Sequence, residues 1–263
     1  MQSGLICQQQ PRQLSFPVAQ DMRGMSAAVQ RLAATLNYRR GLLMNQRPLA
    51  NIAPGQPARP LTSTLYPLPD AQLPDRSIQQ VLHQRHSARD YGSQALELQA
   101  LSALLQHAAG IRQQHNRTGF GRTYPSGGAC YPIQLYVQVK RVNGLAAGTY
   151  LYESAGHQLS RLSKQADLAN QPFHPDCAVV LLLVNDWSVQ SRKYGDISFK
   201  LALLEAGHLA QNLMLAATAL SLSSIPLQFY FEHEINQQLG LNPTMASVCY
   251  AIEVGQSHTM NKE

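Results

Sequence analysis

Tyr124-Pro125-Ser126-Gly127-Gly128-Ala129-Cys130-Tyr131-Pro132 is the stretch from which the rest of the chain is read. Two prolines bracket four small residues, and an alternating run from Gln134 to Val142 follows at once. A loop with so little side-chain bulk lets its backbone approach a flat group closely. Paired glycines also admit positive φ angles that other residues avoid. An ordinary loop leading into a strand has the same appearance, and the stretch alone does not choose between the two.

The flanking sequence supplies the context. Asp75 can cap a helix through Ile78, Val81 and Leu82 to about Arg85. Arg85-His86-Ser87-Ala88-Arg89 follows, two arginines four apart with a serine and a histidine between them. Together they can offer several donors to one anion, each charge-assisted bond contributing about 1.5–3 kcal/mol in a partly desolvated site. A solvated helix end with a favourable dipole is the plainer reading of the same residues. Leu98, Leu101, Leu104 and Leu105 share a helical face, and Gly110 stops that helix after Ala109.

Downstream, Gln134–Val142 and Thr149–Glu153 read as strands joined through Asn143-Gly144. A loosely patterned link leads to Cys177–Val184, apolar enough to be a strand buried on both faces. Arg192-Lys193-Tyr194-Gly195 precedes a long helix, Phe199 to Leu220, that is apolar almost all round and so belongs in the protein's middle or at a subunit interface. Glu205 and His208 fall three apart on it and can face each other, but no third ligand is set by spacing, so no metal is assigned. A short strand (Ile225–Tyr230), a helix (Glu232–Leu239) stopped by Gly240, and a last strand (Ser247–Val254) complete the pattern.

Before residue 75 the pattern changes. Residues 1–20 are glutamine-rich, and Ser26 to Arg39 has helical spacing. Seven prolines between 47 and 74 deny regular structure and suggest an extended arm. The expected division is therefore an arm-bearing segment, 1–74, and a main domain, 75–263.

Composition narrows the function classes. A 44% hydrophobic content over 263 residues suffices for a large core. The net charge of +6 comes from scattered basic residues, which suits an anionic cofactor or acidic partner better than nucleic acid. Cys7, Cys130, Cys177 and Cys249 form no C-x-x-C pair, which argues against zinc. No signal peptide is visible, so reduced thiols in the cytoplasm are expected. No apolar run approaches the roughly 20 residues of a membrane span.

Five places, taken in order, resemble the nitroreductase superfamily and, within it, the SagB-type dehydrogenases that include thiazole/oxazole (azoline) oxidases. Arg85-His86-Ser87-Ala88-Arg89 is similar to the family's R-x-S-x-R motif, and Tyr124–Pro132 to the P-S-(G/A)-G loop of the SagB-type branch. Gly148-Thr149-Tyr150-Leu151-Tyr152 resembles that branch's G-x-Y-x-Y strand, and Lys193-Tyr194 the Lys-Tyr pair of azoline oxidases. Glu205 through Leu213 resembles the helix that packs against flavin and partner subunit. The resemblance covers about residues 76–255.

It implies an α+β, nitroreductase-like FMN fold: a central, mostly antiparallel sheet flanked by helices, in a swapped homodimer. Arg85 and Ser87 would bind the FMN phosphate and ribityl chain with His86 alongside, and Arg89 would sit near the pyrimidine edge. Pro125, Ser126, Gly127 and Gly128 would line the ring, small because a ring stacked on backbone leaves no room for side chains. Lys193, pushed toward neutrality by burial and by Arg192, would serve as base, with Tyr194 relaying or donating a hydrogen bond. Two departures stand out. Gln228 and Phe229 occupy positions where classical members carry an acidic residue and glycine beside flavin N5, which leaves Gln228 as the cofactor-contacting residue there. Among lysines and arginines, only Lys262 follows Gly255.

The implied activity is FMN-dependent oxidation of thiazoline or oxazoline rings in a ribosomal precursor peptide, docked on a cyclodehydratase, with oxygen as acceptor. The alternative is an NAD(P)H-dependent nitro or quinone reductase. A flavin-free scaffold in a biosynthetic complex is a third class.

Overall fold

No residue of Val179-Val180-Leu181-Leu182-Leu183-Val184-Asn185-Asp186 reaches solvent. Alternate side chains of a strand point to opposite faces, so such a run must be covered twice. The computed structural model describes residues 62–112, 121–163 and 165–258, all within one unit spanning Pro48–Glu263. The helix expected at 26–39 lies outside the described residues.

Seven strands form one sheet: β1 (Thr62–Pro67), β2 (Ile133–Val139), β3 (Gly148–Glu153), β4 (Gln158–Leu162), β5 (Val179–Asp186), β6 (Leu222–Leu227) and β7 (Ala246–Gln256). Their order is β1-β4-β3-β2-β5-β7-β6, and every pairing in it is antiparallel. The helices are α1 (Ile78–Gln84), α2 (Leu98–Ala109), α3 (Trp187–Tyr194), α4 (Ser198–Ala219) and α5 (Glu232–Gln238). The α+β architecture, with helices flanking a central antiparallel sheet, is the one the sequence implies.

Odd residues of β5 (Val179, Leu181, Leu183) join a core with Leu101, Leu104 and Leu105 of α2 and Leu209 and Leu213 of α4. Even residues (Val180, Leu182, Val184) join a second core with Ile235 of α5, Leu239, and Leu168 and Phe173 from the segment after β4.

Several sequence expectations shift. Ser77, not Asp75, caps α1: its hydroxyl accepts from the Gln80 amide at 3.2 Å, and the Gln80 side chain accepts from the Ser77 amide at 3.0 Å. The proline-rich stretch does not deny all regular structure, because β1 lies within it and pairs with β4 at the sheet edge. An edge strand needs only one row of ladder bonds, which spares the proline at its end. The link after β3 contains β4, and Lys193-Tyr194 closes a short helix of its own, α3, before the long one. Finally, α4 is not surrounded within one chain. Ala202, Glu205, Ala206, Leu209, Ala210 and Leu213 are buried, whereas Leu203 and Leu204 are 42% and 50% exposed.

Truncating a side chain at the doubly covered strand opens a cavity that the two packed layers cannot collapse. Leu181→Ala is expected to cost about 2–5 kcal/mol, read as a lowered midpoint with unchanged slope in urea unfolding.

Candidate active site

The loop 124–132 and helix α3 both start from the same end of the sheet. Ile133 of β2 lies opposite Asn185 of β5, and the Asp186 amide donates to the Pro132 carbonyl at 3.0 Å. Asp186 also caps α3, accepting from the Ser188 amide at 3.0 Å and from the Ser188 hydroxyl at 2.6 Å. The helix is thereby aimed back over the loop.

Contact between them is direct. Gln190 Nε2 donates to the Gly127 carbonyl at 3.2 Å, and Lys193 Nζ donates to the Gly128 carbonyl at 3.3 Å. Gly128 has φ 64° and ψ 22°, a left-handed conformation. A Cβ placed on it would meet Tyr194 Oη at 2.2 Å and Lys193 Nζ at 2.7 Å, and one on Gly127 would meet Gln190 and Leu201 at 3.2–3.3 Å. Packing of α3 and α4 against the inner side of the loop by itself leaves little room for a side chain at 127 and none at 128. The outer side, with Pro125, Gly128 and Ala129, is exposed.

Two further residues of the loop, Ala129 (φ 54°) and Tyr131 (φ 50°), adopt positive φ without being glycine. Each such residue costs on the order of 1–2 kcal/mol, so the surroundings must hold the loop in place. Ser126 Oγ accepts from the Tyr131 amide at 2.9 Å and donates to the carboxylate of Glu205, whose other oxygen accepts from the Ile133 amide at 3.4 Å. Arg122 lies 5.1 Å over the Tyr131 ring and donates to Tyr124 Oη at 3.0 Å, and Tyr124 and Tyr131 pack edge to face. Asn212 Nδ2 holds the Thr123 carbonyl at 3.2 Å.

Glu205 is 1% exposed. Burial raises its carboxyl from the usual 4.5 to about 7, against the lowering effect of the Ser126 and Ile133 hydrogen bonds and of Arg122. His208 is exposed, so the two do not face each other. Among the described residues no group of three or more His, Cys, Asp or Glu is placed to hold a metal ion, and no helix is long and apolar enough to cross a membrane.

Lys193 is half-buried, with its ammonium 5.4 Å from the centre of the Tyr194 ring, while Arg192 is exposed.

The segment Arg85–Arg89 stands elsewhere. Arg85 caps the C-terminus of α1, and the Ala88 amide donates to the Ser224 carbonyl of β6 at 3.0 Å. Tyr91 then reaches buried Glu253 at 3.1 Å and Gly92 bridges to Gln256, fixing the segment against the sheet edge. His86 turns its Nδ1 to the Gln84 carbonyl at 2.9 Å. The side chains of Arg85, Ser87 and Arg89 make no hydrogen bond or ion pair with another described residue, so their donors are uncommitted. Gln228 lies four residues beyond Ser224, about 13 Å along the strand direction. Its Nε2 donates to the Cys249 carbonyl at 3.0 Å, and Phe229 beside it is 78% exposed.

No described hydrogen bond or ring contact joins Arg85–Arg89 to the loop 124–132. Arg76, just before α1, donates to the Thr218 carbonyl at 3.3 Å. The loop is anchored at Glu205, thirteen residues earlier and about 20 Å away along the axis of α4.

Residues 82–256 match the nitroreductase family. A Methanocaldococcus jannaschii protein that carries the name of a nitroreductase is 34% identical over 180 residues, 65% of this chain and 89% of that protein. The chain belongs to the nitroreductase family. Two solved structures are alike in fold. One is described as a nitroreductase of Ralstonia eutropha JMP134 (TM-score 0.60, 24% identity, 81% of this chain and 98% of that one). The other is a chain of the E. coli microcin synthetase McbBCD complex with truncated pro-MccB17 bound (TM-score 0.57, 17% identity, 88% and 94%).

Gly128→Ala introduces a Cβ into a left-handed backbone and against the Tyr194 hydroxyl. It is expected to destabilise the protein by at least about 1–2 kcal/mol, and by less when Tyr194→Ala is made first. A double-mutant cycle of chemical unfolding reads the difference.

Proposed function

We propose that the protein is an FMN-dependent oxidoreductase whose active centre combines the Arg85–Arg89 segment with the loop 124–132. One observation carries this reading: three side chains with uncommitted donors, those of Arg85, Ser87 and Arg89, project from a backbone fixed by the end of α1 and the Ala88–Ser224 bond. A cluster of guanidinium and hydroxyl groups without internal partners is suited to an anion. Arg85 and Ser87 grip the phosphate and ribityl chain with His86 alongside, and Arg89 lies by the pyrimidine edge, where a cation stabilises the anionic reduced ring. Gln228 sits at the far end of the same strand, a span matched to an elongated cofactor. Bound FMN supplies the hydride exchange.

No contact among the described residues joins the two halves of this centre within one chain, and α4 leaves Leu203 and Leu204 exposed. A swapped homodimer, in which the loop 124–132 of one copy covers the ring held by the other, accounts for both. The loop offers Pro125 and Gly128 through its exposed outer side, with Ser126 and Gly127 half-buried between them.

For the reaction, an NAD(P)H-dependent nitro or quinone reductase is the leading assignment, supported by the family and by the name of the archaeal relative. Azoline oxidation on a precursor peptide, docked on a cyclodehydratase, is the second. It is favoured by Lys193 and Tyr194 standing side by side on Gly128, where they can take up the proton that ring aromatisation releases. The likeness to the microcin synthetase chain speaks for architecture and not for this chemistry.

Anaerobic mixing of the yellow protein with NAD(P)H separates the two assignments. Bleaching of the flavin within a turnover time supports the reductase. No bleaching, together with a loss of about 2 Da per ring from an azoline peptide by atom counting, overturns it in favour of the oxidase. Arg85→Ala should weaken FMN binding by about tenfold or more. Lys193→Ala should keep its flavin and, under the oxidase assignment, lose about 100-fold or more in turnover, whereas under the reductase assignment bleaching by NAD(P)H persists.

A further inference from the structure

A carboxyl group buried in the middle of a helix is an unfavourable choice unless something requires it. Glu205 faces a limited set of groups. The loop and its approaches contribute the Ser126 hydroxyl, the Ile133 amide, the Arg122 guanidinium, the Tyr124 phenol and the Cys130 thiol, and β7 contributes the Cys249 thiol. Among the described residues, only the Ser126 hydroxyl and the Ile133 amide donate hydrogen bonds to it, and they sit at the two ends of the strained segment that contains Ala129 and Tyr131.

We propose that Glu205 is a proton-gated positioning residue for the flavin site: its ionised carboxylate accepts from Ser126 and Ile133 and so holds the loop 124–132 in its ring-receiving shape, and protonation loosens that hold. The inference rests on the flavin reading above and deepens it. Ionised, each oxygen is an acceptor for the donor it faces. Protonated, one oxygen becomes a donor, and Ser126 Oγ, already accepting from the Tyr131 amide at 2.9 Å, must rearrange to receive it or lose its own acceptor. The chain also bears a cost for keeping an acid here. The carboxyl titrates near 7 in the fold against the usual 4.5. Its contribution to stability is therefore present below about 4.5 and is lost as pH rises through about 7. Under conditions where the loop is held best, the fold is least stable.

That opposition of signs gives the test, with wild type, Glu205→Gln and Ser126→Ala each measured at pH 5.5 and pH 8. At pH 8 Glu205→Gln should melt at a higher temperature than wild type yet bind FMN about tenfold more weakly. At pH 5.5 its FMN affinity should equal that of wild type, within about twofold. The FMN phosphate titrates alike in all three proteins, so the ratio of dissociation constants cancels its effect. Ser126→Ala should show the same loss of pH dependence, because the carboxylate acts through that hydroxyl. In flavin-free protein, amide exchange of the peptide 124–133 should be faster in Glu205→Gln than in wild type at pH 8, and equal at pH 5.5. A ratio of affinities that does not change with pH, or a variant that is weaker in both melting and binding, overturns the proposal in favour of plain packing. If no protein binds FMN at either pH, the flavin reading fails. The exchange measurement still decides whether the carboxylate gates the loop.

Discussion

Covering β5 on both faces is the constraint from which the rest of the fold follows. One face is closed by α2 and α4, the other by α5 and the segment after β4, which leaves only the strand's ends free to carry chemistry. At the Asp186 end, the chain emerges into α3 while β2 begins alongside, and the Asp186–Pro132 bond locks the two together. Lys193 and Tyr194 meet Gly128 because two neighbouring strands end at the same level. Packing energy thus fixes the position of the polar residues without any of them contributing much to stability.

Parts of this were legible in the sequence for clear reasons. Leu98–Ala109 has four leucines on one face and a glycine at its end, and it folds over those bounds. The run Cys177–Val184 is apolar on both faces, the pattern of a central strand, and the strand occupies Val179–Asp186. Other elements carried no such signal. β4 is five residues long with polar residues inside it, and β1 lies among prolines that the edge of a sheet tolerates. The helix α3 is mostly polar, with Trp187 and Val189 the exceptions, although Asp186 followed by Ser188 is a capping signature that would have marked its start.

The site was half legible. Residue types and their order point to the loop and the arginine segment, but periodicity cannot say whether the two meet within one chain. Glu205 can face His208 by spacing, and no metal is assigned to that pair. It falls on the same helical stripe as Ala202, Leu209 and Leu213, so its burial was already written in the spacing. Which donors would greet it there depends on the loop's tertiary path, to which Ser126 and Ile133 belong and which no local pattern specifies.

The crowding around Gly128 also bears on how this protein can vary. The space its missing side chain would fill is held by the tips of Lys193 and Tyr194, two residues of another helix. Positions 128, 193 and 194 therefore behave as one unit of change. A library that randomises only the helix or only the loop leaves the other partner of that contact unchanged. Any engineering of this mouth has to move both partners in the same step, smaller on the helix before larger on the loop.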